Sequence, residues 1–432
     1  MRKICISALT FAILPLLNAC SSDDPEPNPT PDLPETETPA LSADEAKYLV
    51  HKIAVTTEDG AEITSKTEYI PCSVTVDSEL DDWDYSGTAG IRGRGNSTWL
   101  WYSKKPFRIK LDKKSPILGM GSGKSWVLLA NYRDPTHLMN SYVFALGQSL
   151  EMPFTNSIRY VELTLNGKYN GLYQLTEQVQ QGSGRVNIDD KGGFLISLDS
   201  DDGPKLSPSA TDNFWSSVYS MPVCVKNPDD PDSATLSAVK SDLAKLETAI
   251  KNHDYATVKS LLDITTFIDF LIIQELAYNV ELDAPRSMYM HKDVGGKWAM
   301  GPLWDFDGGY DFDWSTMYTG HTYFTSTREL VMGTQPYSHT GTSYNVPKFF
   351  TDLFRVKEFV SDYKARWAIV KPLALDAWTE TLKYVDYDAM SRNAEAWPIN
   401  KKYDTEINRM GEWLKNRISY IDTVINAYPS GT

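Results

Sequence analysis

The chain has 432 residues, and its 57 acidic side chains outnumber the 42 basic ones, a formal net charge of −15. Such an excess argues against nucleic acid as the partner, because a phosphate backbone calls for a basic face. Four cysteines make no disulfide framework, and the absence of CxxC, HxH and HxxxH spacings leaves a structural zinc site without support.

The chain opens with Arg2 and Lys3, an uncharged apolar run over residues 4–17, and then Leu17-Asn18-Ala19-Cys20. The run is shorter than the roughly 20 residues that cross a bilayer, so residues 1–20 read as a processed export signal. Its end resembles the lipobox of bacterial lipoproteins. That resemblance implies cleavage before Cys20, acylation of the Cys20 thiol (a palmitate-type anchor) and tethering to a membrane. Residues 21–42 are rich in Pro, Asp, Glu and Thr, with almost no large apolar side chain to repay ordering, and read as an extended, disordered spacer. Ser22-Asp23-Asp24 resembles the acidic surface-export signal of Bacteroidetes lipoproteins, which implies display on the outer face of the outer membrane. Residues 43–432 remain for the folded domain. Only Cys72 and Cys224 stay in it; a disulfide between them is allowed, and the sequence does not say whether they meet.

Apolar and polar residues alternate over residues 48–57 and 69–76 with Asp59-Gly60 between them, which predicts a β-hairpin. A Gly- and Arg-rich loop follows over residues 90–99. Residues 106–111 predict a strand with Phe107, Ile109 and Leu111 on one face and Arg108 and Lys110 on the other. Residues 119–125 suggest a phosphate loop, but the first glycine falls one place out and no βαβ unit surrounds them, so they read as a turn. After a short apolar run at 126–130, Asp134-Pro135 marks a helix start, with Leu138, Tyr142, Ala145, Leu146 and Leu150 at helical spacing. Residues 160–165, the turn Asn166-Gly167 and residues 169–175 predict a second hairpin. Leu236, Val239, Leu243, Leu246 and Ile250 predict a helix capped by Ser233, and a strongly apolar helix follows over 266–278. Residues 287–290 and 297–300 form a predicted strand pair around Gly295-Gly296. The aromatic, Gly-rich stretch 311–345 reads as an ordered surface loop. Helices close the chain, with Ile407, Met410, Leu414, Ile418 and Ile421 on one stripe. Strands first and helices later give an α+β class, a strand-rich N-terminal lobe before a helical C-terminal one.

The arrangement that carries chemistry is acidic. A polar loop, Asn279-Val280-Glu281-Leu282-Asp283-Ala284-Pro285-Arg286-Ser287, ends the apolar helix, and the strand pair leads on to Asp305-Phe306-Asp307-Gly308-Gly309. Phosphoryl transfer uses this inventory: one carboxylate orients the attacking hydroxyl, another holds Mg²⁺ on the phosphates, and cations neutralise the developing charge. Asp283, Asp305, Lys110 and the loop from Gly93 to Gly95 follow the chain order of base, metal ligand, cation and Gly-rich loop in protein kinases.

At these residues the chain resembles the CotH kinase family. The matching segments are Arg92-Gly93-Arg94-Gly95-Asn96-Ser97-Thr98-Trp99, Lys104-Lys105-Pro106-Phe107-Arg108-Ile109-Lys110-Leu111 and Leu128-Leu129-Ala130-Asn131-Tyr132-Arg133-Asp134-Pro135. They continue with Leu165-Asn166-Gly167-Lys168-Tyr169-Asn170-Gly171-Leu172-Tyr173, Leu175-Thr176-Glu177-Gln178 and Gly301-Pro302-Leu303-Trp304-Asp305-Phe306-Asp307. The resemblance implies an atypical protein-kinase-like fold, ATP with Mg²⁺ or Mn²⁺, and phosphorylation of Ser or Thr on exported proteins. Carried over by position, it makes Asp283 the hydroxyl-orienting base and Asp305 the metal ligand, with Asp307 and Ser287 as further contacts. Lys110 becomes the phosphate cation, with Lys105 as the alternative. Arg92, Arg94 and Arg108 cradle phosphates, and Glu177 borders the nucleotide. Two departures stand out: Ser287 falls where many relatives place an Asn, and Glu281 competes with Asp283 for the role of base. An outer-leaflet protein meets little ATP, which keeps a second reading open: a non-catalytic surface adhesin, or a glycan- or protein-binding module, that uses the aromatic loop from Tyr310 to Tyr323. A carbohydrate-active hydrolase comes third.

Overall fold

In the computed structural model, which describes residues 40–204, 211–398 and 402–429, alternating side chains curl the first half of the chain into a barrel. Its strands are β1 (Val50–Thr57), β2 (Ile70–Asp77), β3 (Tyr85–Gly93), β4 (Phe107–Ile117), β5 (Met120–Leu129), β6 (Ile158–Leu165) and β7 (Lys168–Glu177). The order is β1-β2-β3-β4-β5-β7-β6, and β6 closes it by running parallel to β1. Ile53, Val74, Ile91, Ile109, Trp126 and Leu175 point inward and fill the interior. Their neighbours in sequence point outward, and this parity decides where Arg92 and Arg108 face.

Both predicted hairpins form, as β1–β2 and β6–β7. Asn166 and Gly167 take φ of 50° and 74°, as a tight turn between twisted strands requires. Leu118 and Gly119 take the same backbone form between β4 and β5. The expected turn at residues 119–125 is therefore confined to its first glycine, and the rest belongs to β5.

A second sheet holds β8 (Phe194–Leu198), β9 (Asn213–Trp215), β10 (Pro222–Asn227), β11 (Met288–Lys292) and β12 (Trp298–Met300), in the order β12-β11-β8-β10-β9. Its last two strands are the predicted pair around Gly295-Gly296. Cys72 in the barrel and Cys224 in this sheet are both free and buried.

Helices make up most of what remains, and the class is α+β. The helix expected from Asp134 begins instead at Met139 and runs to Ser149. Asp134 delays it by accepting the amides of Thr136, His137 and Met139 in the turn before. Asp232 rather than Ser233 caps the helix Ser233–Lys251, because its carboxylate reaches the Thr235 amide. The apolar helix Ile264–Leu276 is buried on nearly every face, and Tyr403–Ala427 buries the predicted stripe. The stretch 311–345 is a surface loop only in part: residues 313–315 and 318–320 are exposed, while other stretches of it turn inward. Phe312, Tyr323, Phe324, Leu330, Val331 and Met332 are buried, and the Tyr310 and Phe324 rings pack on Trp413 of the last helix at 5.6 and 6.1 Å.

From Leu41 onward the chain forms one compact unit. The export signal, Cys20 and the spacer up to residue 39 lie outside the described residues. Among the described residues no helix is long and apolar enough to cross a membrane.

Candidate active site

The acidic turn after β12 is pinned at both ends. The Phe306 amide donates to Asn140 Oδ1 at 2.9 Å, and the Tyr310 amide donates to the Ala277 carbonyl at 2.6 Å. Two glycines let the turn pass so close to its neighbours. A Cβ on Gly309 would lie 2.5 Å from the Ala277 oxygen, and one on Gly308 would lie 3.2 Å from Glu281 Oε1. Asp305 itself takes a φ of 65°, a left-handed form that Asp tolerates better than most residues.

Asp307 Oδ1 accepts from Arg133 Nη2 at 2.8 Å, a pair with little exposure on either side. The Arg133 guanidinium lies over the rings of Phe312 and Trp314, at 4.8 and 5.4 Å from their centres. Glu281 enters from the short turn Val280–Leu282, and its Oε2 is buried without a hydrogen-bond partner among the described residues. Ser287 Oγ stands 3.5 Å from Asp305 Oδ2, and the Ser287 amide donates to Asp199 at 3.1 Å. Asp283 is turned to other work, with its Oδ1 accepting the Asn345 amide at 2.6 Å.

The cations come from the outer face of the barrel. Arg92 on β3 stands directly opposite Arg108 on β4, and Gly90 stands opposite Lys110. Arg94, two residues past Arg92 on the same face, reaches the acidic turn: it acts on Asp305 and lies over the Trp304 ring at 5.5 Å. Lys110 is at the far end of this row, exposed beside Tyr69.

Residues 91–421 match the family model described as CotH kinase protein. The chain belongs to the CotH family. A search of curated proteins finds no match. The CotH match opens within β3 and closes within the last helix, so it takes in the cation row, Arg133, Glu281 and the acidic turn.

In this CotH protein the acids crowd one another. Enclosure by protein atoms, and then the Asp307 carboxylate, push the Asp305 carboxyl up to about 7, while Arg94 and Arg133 pull it down. Asp305 still meets solvent, so the repulsion from Asp307 is the firmer part of that shift. Burial, and then the charge of Asp305, push Glu281 well above the usual carboxylate range, against the pull of Arg133 and Arg286.

The structure thus brings together Asp305, Asp307, Ser287 and Arg94 from the residues singled out in the sequence, with Arg92 and Arg108 adjoining. It sets Glu281, the competitor, within the field of Asp305 and Arg133, while Asp283 accepts the Asn345 amide. Lys105 donates to the Trp99 carbonyl at 2.6 Å and so stands apart from the row. Glu177 pairs with Trp126, whose ring fills the barrel, and so points inward, away from the cationic face; it accepts the Ser157 amide at 2.8 Å. Two contributors escaped the sequence reading. Arg133 sits in a quoted segment between a strand and a helix start, which is its only signal. Asn140 has none, since an Asn on a buried helix face does not announce its partner.

Among the described residues no three His, Cys, Asp or Glu side chains form a ready-made metal cage. The donors do suit a hard cation held mainly by its substrate. Mg²⁺ takes one or two carboxylates and completes its shell with phosphate and water, and the crowded oxygens of Asp305, Asp307 and Glu281 supply that much.

Proposed function

We propose that this CotH protein is an ATP-dependent protein kinase with an atypical kinase-like fold. Its acceptors are Ser or Thr residues of exported proteins, and it works at the outer membrane surface, held by a lipid on Cys20. The observation that carries the reading is the meeting of Asp305, Asp307 and Glu281 with Arg94 and Arg133 at one end of a cationic barrel face. Asp307 pushes Asp305 up, and Asp305 in turn pushes Glu281 up, so these carboxylates are short of positive charge; a metal-bound triphosphate supplies the cation they want and the anion Arg94 wants.

Asp305 would hold Mg²⁺ or Mn²⁺, with Asp307 and Ser287 Oγ beside it. The metal, when bound, would neutralise charge on the transferring phosphoryl group. Arg94, Arg92 and Arg108 bind and orient the phosphates. Arg133 holds Asp307 in place from a buried position, stacked on two rings. Glu281 takes the acceptor hydroxyl's proton; burial and the charge of Asp305 make its carboxylate a stronger base than an ordinary one.

The test is purified mature protein with γ-labelled ATP and Mg²⁺ or Mn²⁺, compared with Asp305→Ala and Glu281→Gln. Each substitution is expected to lower label transfer by about 100-fold or more. Undiminished labelling by Asp305→Ala would exclude the site.

One observation favours the second reading, a non-catalytic adhesin or glycan-binding module. Trp101 and Tyr318 form an edge-on ring pair at 5.8 Å and are 44% and 66% exposed, an aromatic surface of the kind that sugars cover. Binding on a glycan array, together with the absence of any nucleotide effect on melting, would decide for it.

A further inference from the structure

We propose that the nucleotide lies along the outer face of β3 and β4, with its terminal phosphate at Arg94 and Asp305 and its base on the ring of Tyr69. This placement rests on the ATP-dependent reading above and adds its direction and the residue that takes the base. Nothing in the sequence had pointed to Tyr69.

The row Arg94, Arg92, Arg108 and Lys110 is the first ground. Among the described residues none of the four lies within ion-pair distance of a carboxylate, in a chain with 15 more acids than bases. Arg92 and Arg108 face each other across the strands, and the Nε of each is buried without a hydrogen-bond partner. Like charges set side by side destabilise a sheet unless an anion lies over them. From Arg94 to the level of Gly90 and Lys110 is four strand residues, roughly 13 Å. That length suits an extended triphosphate and its sugar, and is too long for a single phosphate.

The second ground is what lies at the far end. The row runs into a depression of about 710 Å³ on the barrel, lined by Tyr69, Gly90, Lys110 and Lys124 and also by Glu58 and Asp112, but by none of Glu281, Asp305 and Asp307. Tyr69 lies against the bare backbone of Gly90, where an added Cβ would come within 3.0–3.3 Å of its Cβ, Cδ1 and Cγ. The Arg92 guanidinium and the Lys110 ammonium lie over the ring, 5.0 and 6.0 Å from its centre. A half-buried aromatic ring set against a glycine is a platform for a base once the cations over it turn to the phosphates, which run back along the strand. Lys110, which the sequence suggested as the cation at the reacting phosphate, becomes the one nearest the sugar.

The test is calorimetric titration of the full mature protein with Mg²⁺-ATP and with Mg²⁺-tripolyphosphate, which has the phosphates and no base. Tyr69→Ala is expected to weaken ATP about tenfold, the size of one base–aromatic stack, and to leave tripolyphosphate within twofold. Tyr69→Trp, which keeps a ring, is expected to retain ATP affinity. Arg94→Ala is expected to weaken both ligands. If Tyr69→Ala binds ATP as the parent does while Arg94→Ala weakens both, the base lies elsewhere and this placement is overturned, although the kinase reading stands. If the parent binds neither ligand, both fall.

Discussion

Asp305 carries its charge beside Asp307 and within the field of Glu281, and its pKa records that burden. In an unfolded chain an aspartate titrates near 4; here the carboxyl is pushed up to about 7. The folded protein therefore binds the extra proton between those two values. Its share of the stability is full below about pH 4 and is lost as pH rises through 7. Asp305→Asn removes the charge, so metal-free melting curves are expected to show the variant gaining on the parent with pH, by about 1–2 °C at pH 8. Added Mg²⁺ should raise the parent's melting temperature more at pH 8 than at pH 6 and leave the variant nearly unmoved. A parent curve flat from pH 5 to pH 8 would contradict the crowding. A second comparison separates the rival bases. Glu281→Gln is expected to abolish transfer with little loss of stability, because its Oε2 has no partner to lose. Asp283→Ala should keep most activity and lose about 1 kcal/mol, the worth of its bond to the Asn345 amide. Reversed results would return the role to Asp283.

Elements place these residues, and here the sequence is legible only in part. Turn chemistry showed the hairpin at Asn166-Gly167, and alternation showed that Arg108 and Lys110 share a face apart from Ile109, because both signals are local. The closure of the barrel by β1 against β6 is not local, and neither is the register that faces Arg92 with Arg108. Without the register, Lys110, with Lys105 as the alternative, was the cation expected at the reacting phosphate, and Arg94 had only a cradling role. The aromatic stretch 311–345 was legible as a loop, but not which part of it turns inward. It has no helical or strand period, and residues 330–332 are buried because Glu275 accepts the Val331 and Met332 amides at 3.0 and 2.6 Å and Arg417 donates to carbonyls of the same loop. The two glycines of the acidic turn offer a test of element placement. Gly309→Ala would drive a methyl against the fixed Ala277 carbonyl, and urea denaturation is expected to show a loss of about 1–3 kcal/mol with weaker ATP binding. Gly308→Ala meets only the ends of Glu281 and Arg133, which can shift, so it should cost less. Equal costs would mean that the approach to Ala277 is not what fixes the turn.

Across the whole molecule, the proposed transfer would depend on two parts keeping their spacing, since Arg94 belongs to the barrel while Asp305 follows the second sheet. One buried amine clasps the barrel to the helices. Lys104 Nζ donates to the carbonyls of Ala130 and Leu172 in or beside barrel strands, and to Asn393 Oδ1 on the helix Tyr387–Ala396 at 2.9 Å. Asn393 also accepts the Leu172 amide at 3.0 Å, and Trp397 donates to the Asn170 carbonyl at 2.8 Å. Lys105, the next residue, is half-buried and among the described residues donates only to the Trp99 carbonyl, so two adjacent lysines of one motif have opposite weight. Lys104→Met keeps the length and removes three charge-assisted bonds, leaving buried acceptors unmet. Chemical denaturation is expected to show a loss of about 2–4 kcal/mol in a single transition. Lys105→Met should stay within about 0.5 kcal/mol. Below its melting point the Lys104 variant should also bind tripolyphosphate more weakly, because the cation row would no longer stand squarely over Asp305. If the variant loses stability and keeps the parent's affinity for tripolyphosphate, the clasp serves folding alone and the two parts hold their spacing by other contacts.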